Sequence, residues 1–195
     1  SRQHFNLPEK DFIFTCFNAN KKITPKEFDI WMRLLKQIKG SVIWLYKSNE
    51  SSVKNLINEA EQRNVDSNRL IFADKLPLKK HLARHTLGDL ALDTFNCNGH
   101  TTTSDALWAG LPVLTKIGQS FAARVSASML TSLGIPELIT NDEIEYEKKA
   151  LYLARNPHEL QRIKTKLARS KKISPLFNSE LFTRNLEHKF EELVK

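Results

Sequence analysis

Short apolar runs alternate with longer amphipathic stretches along almost the whole chain. The apolar runs predict strands over Asp11–Phe17, Ser41–Tyr46, Arg69–Ala73, Asp89–Asp93 and 112–115, with a brief sixth candidate at Glu137–Ile139. Between them, the helical spacing of apolar residues and the positions of Gly and Pro predict helices near 24–39, 51–64, 79–86, 101–109, 120–133, 142–155, 157–170 and 179–194.

This alternation predicts the fold class. Strands separated by helical spans pair in parallel through right-handed crossover connections. The chain is therefore expected to be an α/β protein with a doubly wound, mostly parallel, Rossmann-like sheet and additional C-terminal helices. Its length suits a single domain, with an α/β core over about 12–140 and the extra helices over about 141–195.

The most distinctive segment follows the fourth predicted strand, where Asn98–Asp105 reads Asn-Gly-His-Thr-Thr-Thr-Ser-Asp. It leads into a helix whose first N–H groups have no partner within the helix and carry a partial positive charge. Gly99 lets the backbone approach a ligand closely, and hydroxyls at the helix start add donors. The segment is a candidate phosphate-binding turn, and the alternative is an ordinary Thr or Ser N-cap before a core helix.

Three further turns are predicted to lie at the same edge of the sheet. They follow the first, third and fifth strands, at Asn18–Lys22, Leu76–Arg84 and Gly118–Ser120. Because the carboxyl ends of parallel strands meet at one edge, where open α/β sheets bind ligands, these turns are expected to form one site with Asn98–Asp105.

Charge narrows the class of partner. Thirty basic and 22 acidic residues give a net charge of +8, which favours nucleic acid, acidic lipid or a phosphorylated small molecule. A basic nucleic-acid-binding domain is one alternative function, but no recognised reading motif is present, so nucleic acid is not the favoured partner. No apolar stretch approaches the roughly 20 residues of a membrane helix, so no membrane contact is expected.

The cysteines predict the cell compartment of the protein, and the N-terminal residues predict whether the chain is a fragment. The two cysteines, Cys16 and Cys97, do not make a disulfide framework and fit a reducing cytosol, so a cytoplasmic protein is expected. The chain begins at Ser1 without an initiator Met or a signal-peptide pattern, and it is expected to be a fragment of a longer protein.

Five blocks of sequence carry a resemblance to a known family. They stand in the same order as in the protein O-GlcNAc transferases and their SPINDLY-type relatives, and the similarity runs from about Phe12 to the C-terminus. The blocks are Phe17–Ile23, His81–Arg84, Asn98–Asp105, Leu107–Pro112 and Ser174–Asn178.

The resemblance implies the C-terminal lobe of a GT-B glycosyltransferase, an inverting enzyme that needs no metal and no cofactor. The implied reaction transfers GlcNAc from UDP-GlcNAc to Ser or Thr hydroxyls of an acceptor protein and releases UDP. In the family an N-terminal lobe precedes this one, tetratricopeptide repeats commonly lie upstream, and the active site is the cleft between the lobes. The chain alone is therefore expected to bind UDP without being catalytically complete.

The matching motifs assign roles to individual residues. Lys22 matches the lysine that contacts the diphosphate and stabilises it as it leaves, and His100 matches a histidine close to the phosphate and sugar. Thr101 and Thr102 match the groups that hold the β-phosphate, and Asp105 matches the carboxylate that accepts hydrogen bonds from the ribose.

The base-binding side is implied in the same way. His81 matches the residue that packs against uracil, Arg84 on the same helix face is expected at the base or its surroundings, and Asn18 joins the donor-binding set. His81 and His85 are also four residues apart, a spacing that can bind zinc, but the sequence offers no third ligand and no Asp-x-Asp motif, so no metal site is predicted.

Two departures from the family pattern leave alternatives open. Ala19 stands where the animal enzymes carry a glutamine, and Leu78 stands where they carry a lysine near the ribose, although Lys79 and Lys80 adjoin it. Because SPINDLY relatives use GDP-fucose, a GDP-fucose-using lobe is one alternative. A non-catalytic interaction module that has lost donor affinity is another.

The last predicted helix has an apolar stripe at helical spacing, formed by Phe182, Leu186, Phe190 and Leu193. In the GT-B architecture this helix crosses toward the other lobe. Without that lobe, the stripe is expected either to pack back on the domain or to pair with a second molecule, giving a dimer through the C-terminal helix.

Overall fold

A computed structural model describes residues 1–194. Its centre is a six-stranded sheet in which every neighbouring pair is parallel. The order across the sheet is β3-β2-β1-β4-β5-β6, and the strands are β1 Ile13–Cys16, β2 Val42–Tyr46, β3 Leu70–Ala73, β4 Leu90–Leu92, β5 Val113–Lys116 and β6 Ile139–Thr140. The predicted doubly wound, Rossmann-like class is confirmed.

Helices connect the strands and cover both faces of the sheet. They are α1 Pro25–Gln37, α2 Glu50–Gln62, α3 Leu78–Arg84, α4 Thr101–Trp108, α5 Val125–Ser132, α6 Glu143–Arg155, α7 Pro157–Ser170 and α8 Ser179–Val194. Right-handed crossovers place α1 and α2 on one face and α3, α4 and α5 on the other, while α6 packs on α1 and α7 on α6. None of these helices, within residues 1–194, is long and apolar enough to cross a membrane.

The apolar runs fold as strands because both faces of the sheet are buried. Alternate residues of β1 face opposite layers: Phe14 joins the larger core cluster, whereas Ile13 packs with Trp44 in a smaller one. Both Ile13 and Phe14 are completely shielded from solvent. A continuous apolar run is the expected signature of such a strand.

The order of the strands places a ligand-binding crevice in the middle of the sheet. From β1 the chain moves outward to β2 and β3, and then returns to β4 on the other side of β1. The crossovers diverge between β1 and β4, which pair directly through Phe14 with Leu90 and Thr15 with Ala91. Open α/β sheets bind ligands at the carboxyl edge beside such a switch point.

Most predicted ends are shifted by one or two residues, and two elements differ in kind from those predicted. The sixth strand lies at Ile139–Thr140, because Pro136–Leu138 form a 3-10 turn instead of a strand. The helix predicted over 120–133 begins with a separate 3-10 turn, Phe121–Ala123, and continues as α5.

The C-terminal helix corrects one expectation. The stripe does not pack back on the domain: no residue of α8 is buried, and Phe182, Leu186, Phe190 and Leu193 are 59%, 41%, 57% and 82% exposed. The physical reason is the path of the chain, because α8 leaves the domain after the 3-10 turn Pro175–Phe177 and makes its closest contacts with that turn. Pairing of the stripe with a second molecule stays a prediction.

Candidate functional site

The structure brings the four predicted turns together at the carboxyl edge of the sheet. The turn after β1 meets the turn after β4, where Lys22 Nζ donates to the Asn98 carbonyl at 2.7 Å. The Asn98 N–H donates to the Ala122 carbonyl at 2.8 Å, which connects this turn to the segment after β5. From α3, His81 Nε2 lies 3.6 Å from Asp105 Oδ2 of α4.

The N-terminus of α4 is left open by its own side chains. His100, the residue before the helix, makes no capping hydrogen bond. Thr102 donates instead to Asn18 Oδ1, and Thr103 shares a hydrogen bond of 2.9 Å with Ser126 Oγ. The alternative of an ordinary Thr or Ser N-cap is therefore wrong for this helix, and its first-turn amides remain available to an anion.

Other helices in the same protein show the contrast. Asn49 caps α2 by accepting from the Ser52 amide at 2.8 Å, and Asp142 caps α6 by accepting from the Glu145 amide at 2.7 Å. Side-chain caps thus occur at α2 and α6, whereas α1, α3, α5 and α7 lack them as α4 does; what distinguishes α4 is that its Thr102 and Thr103 hydroxyls bond to side chains of neighbouring elements.

Gly99 is required by the closeness of its surroundings. A Cβ atom at this position would lie 2.4 Å from Thr103 Oγ1, 2.7 Å from Thr102 Oγ1 and 2.8 Å from Asn18 Oδ1. Any side chain would displace the groups that connect the turns after β1 and β4. The glycine therefore allows this turn to pack tightly against its neighbours.

Lys22 lies beside this turn and is half-buried, whereas its neighbour Lys21 is exposed. One of its three ammonium hydrogens is directed at the Asn98 carbonyl, so the other two can bind a ligand. The contact holds a positive charge next to the open end of α4, where it adds to the partial charge of the helix.

Asp93, at the end of β4, holds these turns together and was not among the predicted site residues. It is 2% exposed, and its Oδ1 accepts from Gly99 N at 2.7 Å, Thr94 N at 2.9 Å and Asn18 Nδ2 at 3.1 Å. Oδ2 accepts from Thr115 Oγ1 at 2.8 Å. Burial raises the pKa of this carboxyl, and the hydrogen bonds oppose that effect. The sequence feature that could have identified Asp93 is a single carboxylate at the end of an otherwise apolar strand.

His100 faces the open side of the turn. Its ring meets the exposed Phe121 ring edge to face, with centroids 6.1 Å apart. Its Nε2 is shielded from solvent yet has no hydrogen-bond partner within the part of the chain described. A buried imidazole nitrogen of this kind is normally satisfied, so it is suited to accept or donate a hydrogen bond when a ligand binds.

A second group of side chains lies behind His81 and forms the base-side cluster, defined as Phe17, His81, Arg84 and His85. The Phe17 ring centroid is 5.8 Å from that of His81, 5.0 Å from that of His85 and 4.5 Å from Arg84 Cζ. The two imidazoles meet edge to face, with their Nε2 atoms 3.3 Å apart.

Arg84 is turned into the domain. It is 3% exposed, and its Nη1 donates to the Asp74 carbonyl at 2.6 Å. Its guanidinium lies over the Phe17 ring, with Cζ 4.5 Å from the ring centroid. Burial lowers the pKa of His81, and the nearby Arg84 charge adds to this effect while Asp105 opposes it.

The two positions that depart from the family pattern lie on the accessible side of the site. Ala19 is half-buried, and Leu78 is 65% exposed at the start of α3. Among residues 1–194, no three His, Cys, Asp or Glu side chains are grouped closely enough to hold a metal ion.

The arrangement brings groups that favour an anion such as phosphate to one edge of the sheet. Its features are an ammonium, an uncapped helix start and a half-buried carboxylate, Asp105, beside a histidine. Positive charge fixed next to a phosphate also stabilises that phosphate when it becomes a leaving group.

Comparisons with known proteins show the family to which the chain is similar. A model of glycosyl transferase family 41 matches residues 1–186. The chain is 36% identical over 190 residues to the probable UDP-N-acetylglucosamine–peptide N-acetylglucosaminyltransferase SEC of Arabidopsis thaliana. The aligned region covers 97% of this chain and 19% of that protein. The chain is 31% identical over 195 residues to the Caenorhabditis elegans protein of the same enzyme name, covering 100% of this chain and 17% of that one.

Among solved structures, the O-GlcNAc transferase of Thermobaculum terrenum superposes with a TM-score of 0.86 at 30% identity. The superposition covers 93% of this chain and 36% of that one. The chain thus spans about a fifth of the length of the curated relatives it matches.

Proposed function

The chain belongs to glycosyl transferase family 41, and we propose that it is the donor-binding lobe of a protein O-GlcNAc transferase. The proposed donor is UDP-GlcNAc, and the proposed acceptors are Ser and Thr hydroxyls of proteins. The remaining lobe of the cleft belongs to a part of the protein outside this chain.

A single observation carries the proposal: the uncapped start of α4 lies beside the ammonium of Lys22. The first-turn amides, with Thr101 exposed at the helix start, offer donors to the β-phosphate. Lys22 Nζ keeps two hydrogens for phosphate oxygens after its contact with Asn98. These are the positions that the family resemblance assigns to the diphosphate.

The proposed reaction is a displacement at the anomeric carbon. A Ser or Thr hydroxyl forms the new bond to this carbon from the face opposite UDP, while the bond to the β-phosphate oxygen breaks and its electron pair stays on UDP. The hydroxyl proton passes to a base outside this chain. Lys22, the amides of Thr101 and Thr102, and His100 stabilise the charge that develops on the phosphate, so we propose that no divalent metal takes part.

The nucleoside is proposed to lie toward α3. Asp105 accepts from the ribose hydroxyls, and His81 packs against uracil. Asn18 acts indirectly in this geometry, because its Oδ1 accepts from Thr102 and its Nδ2 donates to Asp93. Arg84 supports the base side from beneath, through its contact with the Phe17 ring.

Calorimetric titration tests the donor site. UDP should bind the chain, and Lys22→Ala should weaken binding by about 10- to 100-fold, the usual effect of losing a hydrogen bond between charged groups. Lys21→Ala removes the same charge from the exposed neighbour and should change affinity by less than about 2-fold. UMP should bind less well than UDP, and EDTA should leave UDP binding unchanged.

The other outcomes are also informative. Tighter binding of GDP than of UDP would favour a GDP-fucose donor. If the folded chain bound no nucleotide, it would instead be an interaction module, as Ala19 and Leu78 allow. Equal losses of UDP affinity in Lys22→Ala and Lys21→Ala would contradict the proposed contact of Lys22 with the phosphates.

The isolated chain is expected to bind donor without turning it over. Residues that complete the sugar and peptide pocket lie outside these 195 residues, so release of UDP from UDP-GlcNAc should stay at the background rate in the presence of an acceptor peptide. A coupled UDP-release assay measures this directly. Substantial turnover by the chain alone would show that a second lobe is not needed.

A further inference from the structure

His81 and His85 form a close pair on the base side of the site. The two Nε2 atoms are 3.3 Å apart, a hydrogen-bonding distance, whereas His81 Nε2 lies 3.6 Å from Asp105 Oδ2. His81 therefore stands between two possible partners, one buried and one half-buried. Its contact with the buried partner is the shorter of the two.

His85 is well placed to hold its neighbour in a fixed position. It is 2% exposed, and its ring packs edge to face on Phe17 with centroids 5.0 Å apart. Because only one hydrogen fits between facing nitrogens at 3.3 Å, one ring donates and the other accepts. Either direction ties the half-buried His81 ring to a ring that cannot move freely.

Burial and the neighbouring positive charges both favour the neutral form of His85. Arg84 is adjacent in the chain and buried, and His81 faces it from the previous turn of α3. On the side of the sheet, a void of about 20 Å³ is lined by His85 together with Cys16, Asp93 and polar residues of α4. Burial lowers the pKa of His85 to about 3, and the proximity of His81 and Arg84 contributes.

We propose that His85 is a positioning residue that holds the His81 imidazole away from Asp105. Under the proposed function, on which this inference rests, the Asp105 carboxylate must accept hydrogen bonds from ribose, and the face of His81 must stay open for the base. A His81 released from His85 would rotate toward Asp105, gain a proton and form an ion pair with it. That ion pair would occupy the carboxylate needed for the nucleotide.

The test compares His85→Phe with His85→Gln in the 195-residue chain. Phenylalanine keeps the ring packing on Phe17 but cannot hydrogen-bond to His81, whereas glutamine keeps an amide that can. In His85→Phe, we expect the pKa of His81, followed by NMR, to rise relative to that of the parent chain. In His85→Gln it should stay close to the parent value.

UDP affinity supplies the second measurement. His85→Phe should bind UDP about 5- to 10-fold more weakly than the parent at pH 6 and within about 2-fold of it at pH 8, where less of His81 is protonated. The β-phosphate also titrates at about pH 6, so each variant is compared with the parent at the same pH. The UDP affinity of His85→Gln should match that of the parent at both pH 6 and pH 8.

Two results would overturn the proposal. One is a His85→Phe variant whose His81 titration and ratio of affinities at pH 6 and pH 8 match those of the parent. The other is a stoichiometric shift of both histidine signals on addition of Zn²⁺ alone, which would make the nitrogens metal ligands. The NMR titration needs no nucleotide, so it stands even if UDP does not bind and the proposed function fails.

Discussion

Replacing Asp93 by leucine is expected to lower the free energy of unfolding by about 4 kcal/mol, because four buried donors lose their acceptor at once. These donors are Gly99 N, Thr94 N and Asn18 Nδ2, at 2.7, 2.9 and 3.1 Å from Oδ1, and Thr115 Oγ1, at 2.8 Å from Oδ2. A buried donor without a partner costs about 1–3 kcal/mol. Urea unfolding at pH 7, with the slope compared between variants, measures the effect.

Asp93→Asn provides the graded comparison. Its carbonyl oxygen can replace Oδ1, and its amide can donate to the Thr115 hydroxyl, which now donates to Oδ2 at 2.8 Å. We expect a loss of only about 1–2 kcal/mol, since a charged acceptor is replaced by a neutral one. UDP affinity should still fall by several-fold, because Gly99 and Asn18 are held less firmly. If Asp93→Leu and Asp93→Asn had the same free energy of unfolding as the parent chain, Asp93 would not organise these turns.

Much of the fold could be predicted because burial on both faces of a parallel sheet leaves a clear sequence pattern. Runs such as Ser41–Tyr46 contain the observed strand β2 with one extra residue. The pattern was weakest at Glu137–Ile139, where Pro136 favours a 3-10 turn and the real strand is only two residues long. Local periodicity cannot resolve so short an element.

The part of the site that could be predicted consists of residues whose place is decided by the strand that they follow. Lys22 and Asn98–Asp105 follow strands whose order brings their ends together, so topology alone places them at one edge. Asp93 was missed because its role depends on donors from three separate segments, at Asn18, Gly99 and Thr115. No local pattern records such convergence.

The direction of a side chain also cannot be predicted from the spacing of residues along a helix. Arg84 shares a helix face with His81, yet its guanidinium packs on Phe17 and donates to the Asp74 carbonyl. The i, i+4 spacing of His81 and His85 can also bind zinc; the structure places their Nε2 atoms 3.3 Å apart, a hydrogen-bonding distance, and groups no third ligand with them among residues 1–194. The apolar stripe of α8 was correctly located, but its exposure depends on the path of the chain after Phe177.

The buried histidine also predicts how the protein responds to acid. Burial lowers the pKa of His85 from its ordinary value of 6.5 to about 3. Between these values the unfolded chain takes up a proton that the folded chain does not, so the stabilising contribution is fully present above pH 6.5 and is lost as the pH falls toward 3. At pH 4.5, the loss amounts to about 2–3 kcal/mol relative to neutral pH.

His85→Gln removes this titration and should make the free energy of unfolding fall less steeply. Between pH 7 and pH 4.5, the parent chain is expected to lose about 2–3 kcal/mol more than the variant, measured by urea unfolding at each pH. Carboxyl groups titrate in both proteins, so the difference between them isolates position 85. His158→Gln, on the exposed side of α7, removes a histidine without touching the buried pair and should retain the parent's pH dependence. An identical loss in parent and His85→Gln would mean that His85 takes up its proton in the folded chain as readily as in the unfolded one.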